Sequence, residues 1–146
     1  MTSKSGRLGM TITVRVVFKE EFECGGMPHD LTLARIEARI TETSQTALCN
    51  QMHSVEQRLS RWLLTFADRS NSEQVKVTQS VVAGMLGVRR EGISVAVAAL
   101  RDAGSIKTSR ASITIHDRAC LEKRACECHK VIRDAVQAFG GSKPAG

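Results

Sequence analysis

Between Ala83 and Ile106 the chain reads AGMLGVRREGISVAVAALRDAGSI, two helix-forming runs joined across Gly87, the second opening on Arg89 and Arg90. Glycine adopts the left-handed conformation that ends a helix without strain, so Gly87 marks a sharp turn between two helices. Thr78 is placed to cap a first helix over 79–86, and a second runs from about Arg89 to Ala103, ended by Gly104. Two helices that cross steeply need a small residue where their backbones approach, a tight turn, and an apolar anchor on the second helix. Ala83, Gly87 and Ile93 supply these at the spacing of a helix-turn-helix.

At about 100° per residue, Ile93, Ala96, Val97 and Leu100 share one face of the second helix. Glu91, Ser94, Val95 and Ala98 fall on the opposite face, with Arg90 at its border. The free face is slim enough to enter a major groove about 12 Å wide. Arg89 and Arg90 oppose the helix dipole, which is poor for helix stability and well suited to phosphate or guanine. Beyond Gly104, SIKTS and SITIH alternate around Arg110-Ala111 and predict a β-hairpin carrying Lys107 and Arg110. From Thr78 to Arg110 there are five basic residues (Arg89, Arg90, Arg101, Lys107, Arg110) and two acidic ones (Glu91, Asp102). The whole chain, 21 Lys and Arg against 15 Asp and Glu, carries +6, which suits a polyanionic partner. Aromatic residues are 3% with no tyrosine, which disfavours the base-stacking platforms of single-strand and RNA binders. Duplex DNA needs no such platform.

Upstream, TITVRVVFKEEFE (11–23) is β-branched and partly alternating, predicting a strand or two, and CGGMPHD punctuates the chain. A helix is expected from Leu31, capped by Asp30, to about Met52, with Leu33, Ile36, Ile40, Thr43, Ala47 and Asn50 on one stripe. That stripe fits packing on a partner helix and equally packing on its own domain. SVEQRLSRWLLTFADR forms the next helix, with Ser54 and Gln57 as a capping box. Its apolar face is Val55, Leu59, Trp62, Leu63 and Phe66, with Arg58, Arg61 and Arg69 elsewhere. VKV reads as a short strand, DRACLEKRACECHKVIRDAVQAF as one helix, and GGSKPAG as a disordered tail.

No phosphate loop or nucleophile signature supports an enzyme, and the four histidines are scattered at 29, 53, 116 and 129. Five cysteines, an odd count without an export signal, read as reduced thiols. CECH offers Cys126, Cys128 and His129, with Cys49 as a fourth donor from elsewhere. On one helix, however, residues i and i+2 point about 200° apart, so the spacing argues against chelation. No metal and no cofactor are therefore expected. Apolar runs fall short of the roughly 20 residues that span a bilayer, and Arg15 breaks MTITVRVVF before a signal-peptide core develops. The expected location is the cytoplasm, with no membrane partner.

VEQRLSRWLL, VTQSVVAGMLGVRREGISVAVAALRDAGSI, ITIHDRACLE and ACEC together resemble the C-terminal winged-helix domain of the Crp/Fnr family of bacterial transcription regulators, from about Ala47 to Arg133. The resemblance implies a mainly α fold with a small β-hairpin. It has a short β remnant of an effector domain (1–30), a long dimerisation helix (31–53), a winged helix-turn-helix (54–133) and a flexible tail (134–146). It implies double-stranded DNA as partner, a homodimer through Leu33, Ile36, Ile40 and Ala47, and RNA polymerase as a further contact. Arg90 and Glu91 take base-reading positions, with Ser94 and Val95 on the same face; Arg89, Thr78, Gln79, Lys107 and Arg110 fall to the DNA backbone. Val95 stands where some members place an arginine, and an apolar group there suits a thymine methyl. The wing turn is Arg110-Ala111, where glycine is usual. Some 30 residues before the long helix cannot close the family's β-roll, and no Gly-Glu phosphate cassette occurs, so cyclic nucleotide binding is not expected. A second reading is a winged helix that works by protein contact, sequestering a full-length partner.

Overall fold

A computed structural model describes residues 19–20 and 22–139. In chain order these form α1 (Met27–Met52), α2 (Val55–Ser70), β1 (Gln74–Val75), α3 (Gln79–Leu86), α4 (Arg90–Asp102), β2 (Ile106–Ser109), β3 (Ser112–Ile115), α5 (Arg118–Arg124) and α6 (Cys128–Phe139). Two compact units emerge, Met1–Ile40 with Ala135–Gly146, and Thr41–Asp134.

In the first unit, Lys19, Glu20, Phe22 and Glu23 are helical, not extended as their β-branched upstream neighbours suggest. The rest of the expected strand, 11–18, lies outside the described residues, as does the tail 140–146. Helix α1 begins at Met27, four residues before the expected Leu31, with Asp30 inside its first turn. Gly26 (φ +95°) precedes the helix start, and the Asp30 amide donates to the Gly26 carbonyl at 3.0 Å. Pro28 at the second helical position does no harm, because its missing N–H would have no intrahelical acceptor there. At the other end, 134–139 continue α6 where a flexible tail was expected.

The second unit holds the main core. Leu59, Leu63, Leu64 and Ala67 of α2 pack with Val82, Ala83 and Leu86 of α3, Ile93, Ala96, Val97 and Leu100 of α4, and Leu121 of α5. Val75, Ile106, Ile113 and Ile115 close this core from the sheet. The sheet is antiparallel with strand order β1-β3-β2, so a third strand joins the expected hairpin. In its register, Ile106 faces Ile115, Ser109 faces Ser112, and Val75 faces Ile113. Ser54 caps α2, accepting from the Gln57 amide while the Gln57 side chain accepts from the Ser54 amide, so the capping box forms as its spacing predicts. Trp62 is only partly buried and Phe66 is exposed, at the margin of the apolar face.

Two outcomes differ from the sequence reading. Arg58 and Arg61, which fall off the apolar face of α2 by spacing, are nonetheless buried. The last helix is broken: α5 ends at Arg124, Ala125 is extended (ψ 155°), and α6 starts at Cys128. The break lets Cys126 and Cys128 both turn inward, which a continuous helix forbids. Burial pushes the Cys49 thiol up, and burial followed by the neighbouring thiols pushes Cys126 up to about 12, so both are protonated at neutral pH.

Candidate functional site

The turn between α3 and α4 is built as its residues dictate. Gly87 is left-handed (φ +62°, ψ +39°), and the Val88 amide donates to the Ala83 carbonyl at 3.0 Å, the six-to-one bond of a Schellman motif. Thr78 caps the start of α3, accepting from the Val81 amide at 3.4 Å. Ala83 and Ile93 are buried at the crossing. Arg58, from α2, donates through Nη2 to the Leu86 carbonyl at the C-terminal end of α3. A guanidinium there satisfies one of the carbonyls a helix end leaves open and lies at the favourable pole of the helix dipole. Sequence periodicity missed this role because it depends on a partner 28 residues away.

Helix α4 presents the surface expected of it. Arg90, Glu91, Ser94 and Val95 are exposed, Val95 to 71%, while Ile93, Ala96, Val97 and Leu100 are buried. Ala98 is half-buried rather than free. Arg89 is the N-cap residue, and its side chain makes no capping hydrogen bond, so the first turn of α4 has no side-chain acceptor for its amides. The Ser94 hydroxyl donates to Gln79 Oε1 at 2.9 Å, with the Arg90 carbonyl as alternative acceptor at 3.1 Å. Ser94, on the expected reading face, and Gln79, assigned to the DNA backbone, are therefore brought together across the two helices.

The hairpin holds Lys107 and Arg110 exposed, and α4 packs against β2. Arg110 and Ala111 both keep negative φ, so the two-residue turn is neither type I′ nor type II′. That is how the wing dispenses with glycine. The Ser109 and Ser112 hydroxyls, 2.7 Å apart, hydrogen-bond across the strand ends and help close it.

A polar cluster ties α2, α5 and α6. Asp68 accepts from His129 Nε2 at 2.9 Å and from Arg118, which also reaches Glu73 at 3.4 Å and Glu122 at 3.1 Å. Burial works against the Asp68 charge, but the hydrogen bonds from His129 and Arg118 outweigh it and hold the carboxyl below its ordinary range. Arg124 pairs with Glu56 and Arg69 with Glu42, each at 2.7 Å.

Residues 57–124 match the family model for a Crp-like helix-turn-helix domain. A solved structure from Eubacterium rectale ATCC 33656, assigned to the Crp/Fnr family of transcriptional regulators, is similar over 73% of this chain and 50% of that one. Its TM-score is 0.55 and its sequence identity 23%. The chain thus spans about half the length of that structure, and at this identity the likeness is one of fold. A search of curated proteins found no match. Among the described residues no helix is long and apolar enough to cross a membrane.

Proposed function

We propose that this chain, whose residues 57–124 are a Crp-like helix-turn-helix domain, is a transcription regulator that reads double-stranded DNA through the exposed face of α4. The carrying observation is the orientation of that helix: its apolar side is spent on the core, and Arg90, Glu91, Ser94 and Val95 are exposed beside an N-terminus without a side-chain cap. Arg90 pairs with guanine O6 and N7, Glu91 accepts from cytosine N4, and Val95 meets a thymine methyl. Ser94 lies between them, already positioned by Gln79. Arg89, Thr78, Gln79, Lys107 and Arg110 contact phosphates and fix the register of the protein on the duplex.

Reading and holding separate experimentally. On a selected operator, Arg90→Ala is expected to cost about 1–3 kcal/mol and relax preference at one base pair. Lys107→Ala weakens all sequences alike and lowers the salt slope by about one ion. Both variants are compared on the operator and a scrambled duplex across a salt series. Equal loss on both duplexes for Arg90→Ala makes that residue a phosphate clamp. Failure of the unmodified chain to bind any duplex at low salt favours the reading in which the module works by protein contact.

The chain acts as a homodimer through α1. Leu33, Ile36 and Ile40 are 42%, 47% and 61% exposed, and Ala47 continues their stripe on the same helix. An aspartate at position 36 places an unpaired charge in that seam. Ile36→Asp therefore leaves a monomer whose affinity falls on paired half-sites and not on a single half-site. Sedimentation that shows only monomer for the unmodified chain at high micromolar concentration sinks this assignment.

A further inference from the structure

We propose that Cys49, His53, Cys126 and Cys128 form a closed tetrahedral site for one zinc ion, which pins the last turn of α1 to the junction between α5 and α6. The donor atoms of the four residues, three sulfurs and one imidazole nitrogen, all lie within 4.8 Å of one another. Zn–S bonds of about 2.3 Å and a Zn–N bond of about 2.0–2.1 Å give a tetrahedron with S···S edges of about 3.8 Å and S···N edges of about 3.6 Å. Cys49 Sγ and Cys126 Sγ are 3.5 Å apart, and Cys128 Sγ and His53 Nδ1 are 3.6 Å apart. Two edges thus already have nearly the required length, and closing the longest asks for a movement of about 1 Å. The three cysteines form a buried cluster separate from the main core. Three thiolates select a borderline-soft ion over calcium or magnesium, and four protein donors leave no open position for a substrate.

The surroundings of the four residues also suit an ion. His53 turns Nδ1 to the sulfurs and Nε2 to Glu127 Oε1 at 3.3 Å, the arrangement in which a ligating imidazole donates its other N–H to a carboxylate. Gln45 Nε2 donates to Cys128 Sγ at 3.1 Å, and such a hydrogen bond is stronger to a thiolate than to a thiol. Arg61 is 4% exposed, its Nε has no hydrogen-bond partner, Nη1 donates to Thr46 Oγ1 at 3.5 Å, and its charge acts on the Cys49 thiol. A buried guanidinium so poorly partnered needs a nearby negative charge. One divalent ion, three thiolates and a neutral imidazole carry a single negative charge in total. On binding, the three thiols release their protons to solvent, and the ion takes their place. No electron transfer is involved.

The test uses the full chain, kept reduced, loaded with zinc chloride and desalted. The expected result is one zinc per chain by elemental analysis, and cobalt in its place with the strong visible absorption of a tetrahedral thiolate complex. Cys126→Ser loses the ion, whereas Cys24→Ser, exposed and outside the cluster, keeps it. Because a buried cysteine substitution can unfold the chain, Glu127→Gln supplies a milder variant. It keeps the helical circular dichroism and binds zinc about 10–100-fold more weakly in competition with a chelator. Less than stoichiometric zinc in the reduced unmodified chain overturns the proposal. So does a cobalt complex without thiolate absorption, a Cys49–Cys126 disulfide that forms in the presence of zinc, or full affinity retained by both Cys126→Ser and Glu127→Gln.

Discussion

Ile93→Ala is expected to destabilise the winged module by about 2–5 kcal/mol, whereas Val95→Ala, two residues on, shifts stability by less than about 0.5 kcal/mol. Ile93 is fully buried in the core that α2, α3 and α4 share, so truncation removes methyl groups from contact and leaves a cavity there. Val95 projects into solvent from the same helix. On DNA the order of importance reverses. If α4 reads DNA as proposed, Val95→Ala is expected to stay folded and lose discrimination for thymine at one position, while Ile93→Ala loses binding only as far as it unfolds. Urea denaturation and operator binding of the two variants measure both effects. Equal loss of stability in the two means that α4 is rotated from the orientation described, and the reading face with it.

The second large effect falls on Asp68. Asp68→Ala is expected to cost about 1–3 kcal/mol at neutral pH, because His129 is buried and loses the acceptor of its Nε2. Arg118 retains Glu73 and Glu122, which limits the loss. The carboxyl is held below its ordinary value in the folded chain, so between the folded value and the unfolded value near 3.9 the unfolded state binds more protons. The contribution of Asp68 is therefore fully present above the unfolded value and disappears as pH falls through the folded one. Urea titrations of the parent and the variant from about pH 7 into the acid range should show a stability gap that holds above the unfolded value and narrows below it. A gap unchanged to the lowest pH means that Asp68 acts by packing alone.

Local chemistry explains which parts of this fold were legible in the sequence. Ser54 with Gln57, Thr78 at the start of α3 and Gly87 at its end each satisfy orphan backbone groups within a few residues of themselves, so the sequence states the interaction and its location together. The buried face of α4 was equally plain, because periodicity alone decides it. What stayed hidden depends on residues far apart in the chain. Arg58 and Arg61 look like surface cations until Leu86 and the cysteine cluster are placed beside them. The break at 125–127 contains neither glycine nor proline, and its consequence, Cys126 and Cys128 facing Cys49 and His53, spans more than 70 residues. The wing presented a third kind of difficulty: without glycine the sequence leaves its turn open, and the absence of positive φ at Arg110 and Ala111 excludes types I′ and II′.

The vacant cap at Arg89 sets two selections against each other. A serine at the same position would accept a hydrogen bond from the first turn of α4 and stabilise the helix by about 0.5–2 kcal/mol, but it would remove a positive charge from the end of α4 proposed to meet DNA. Directed evolution for heat tolerance alone should therefore discard Arg89 early, and evolution for residence time on an operator should retain it. The residue that emerges at position 89 would report which pressure had been applied.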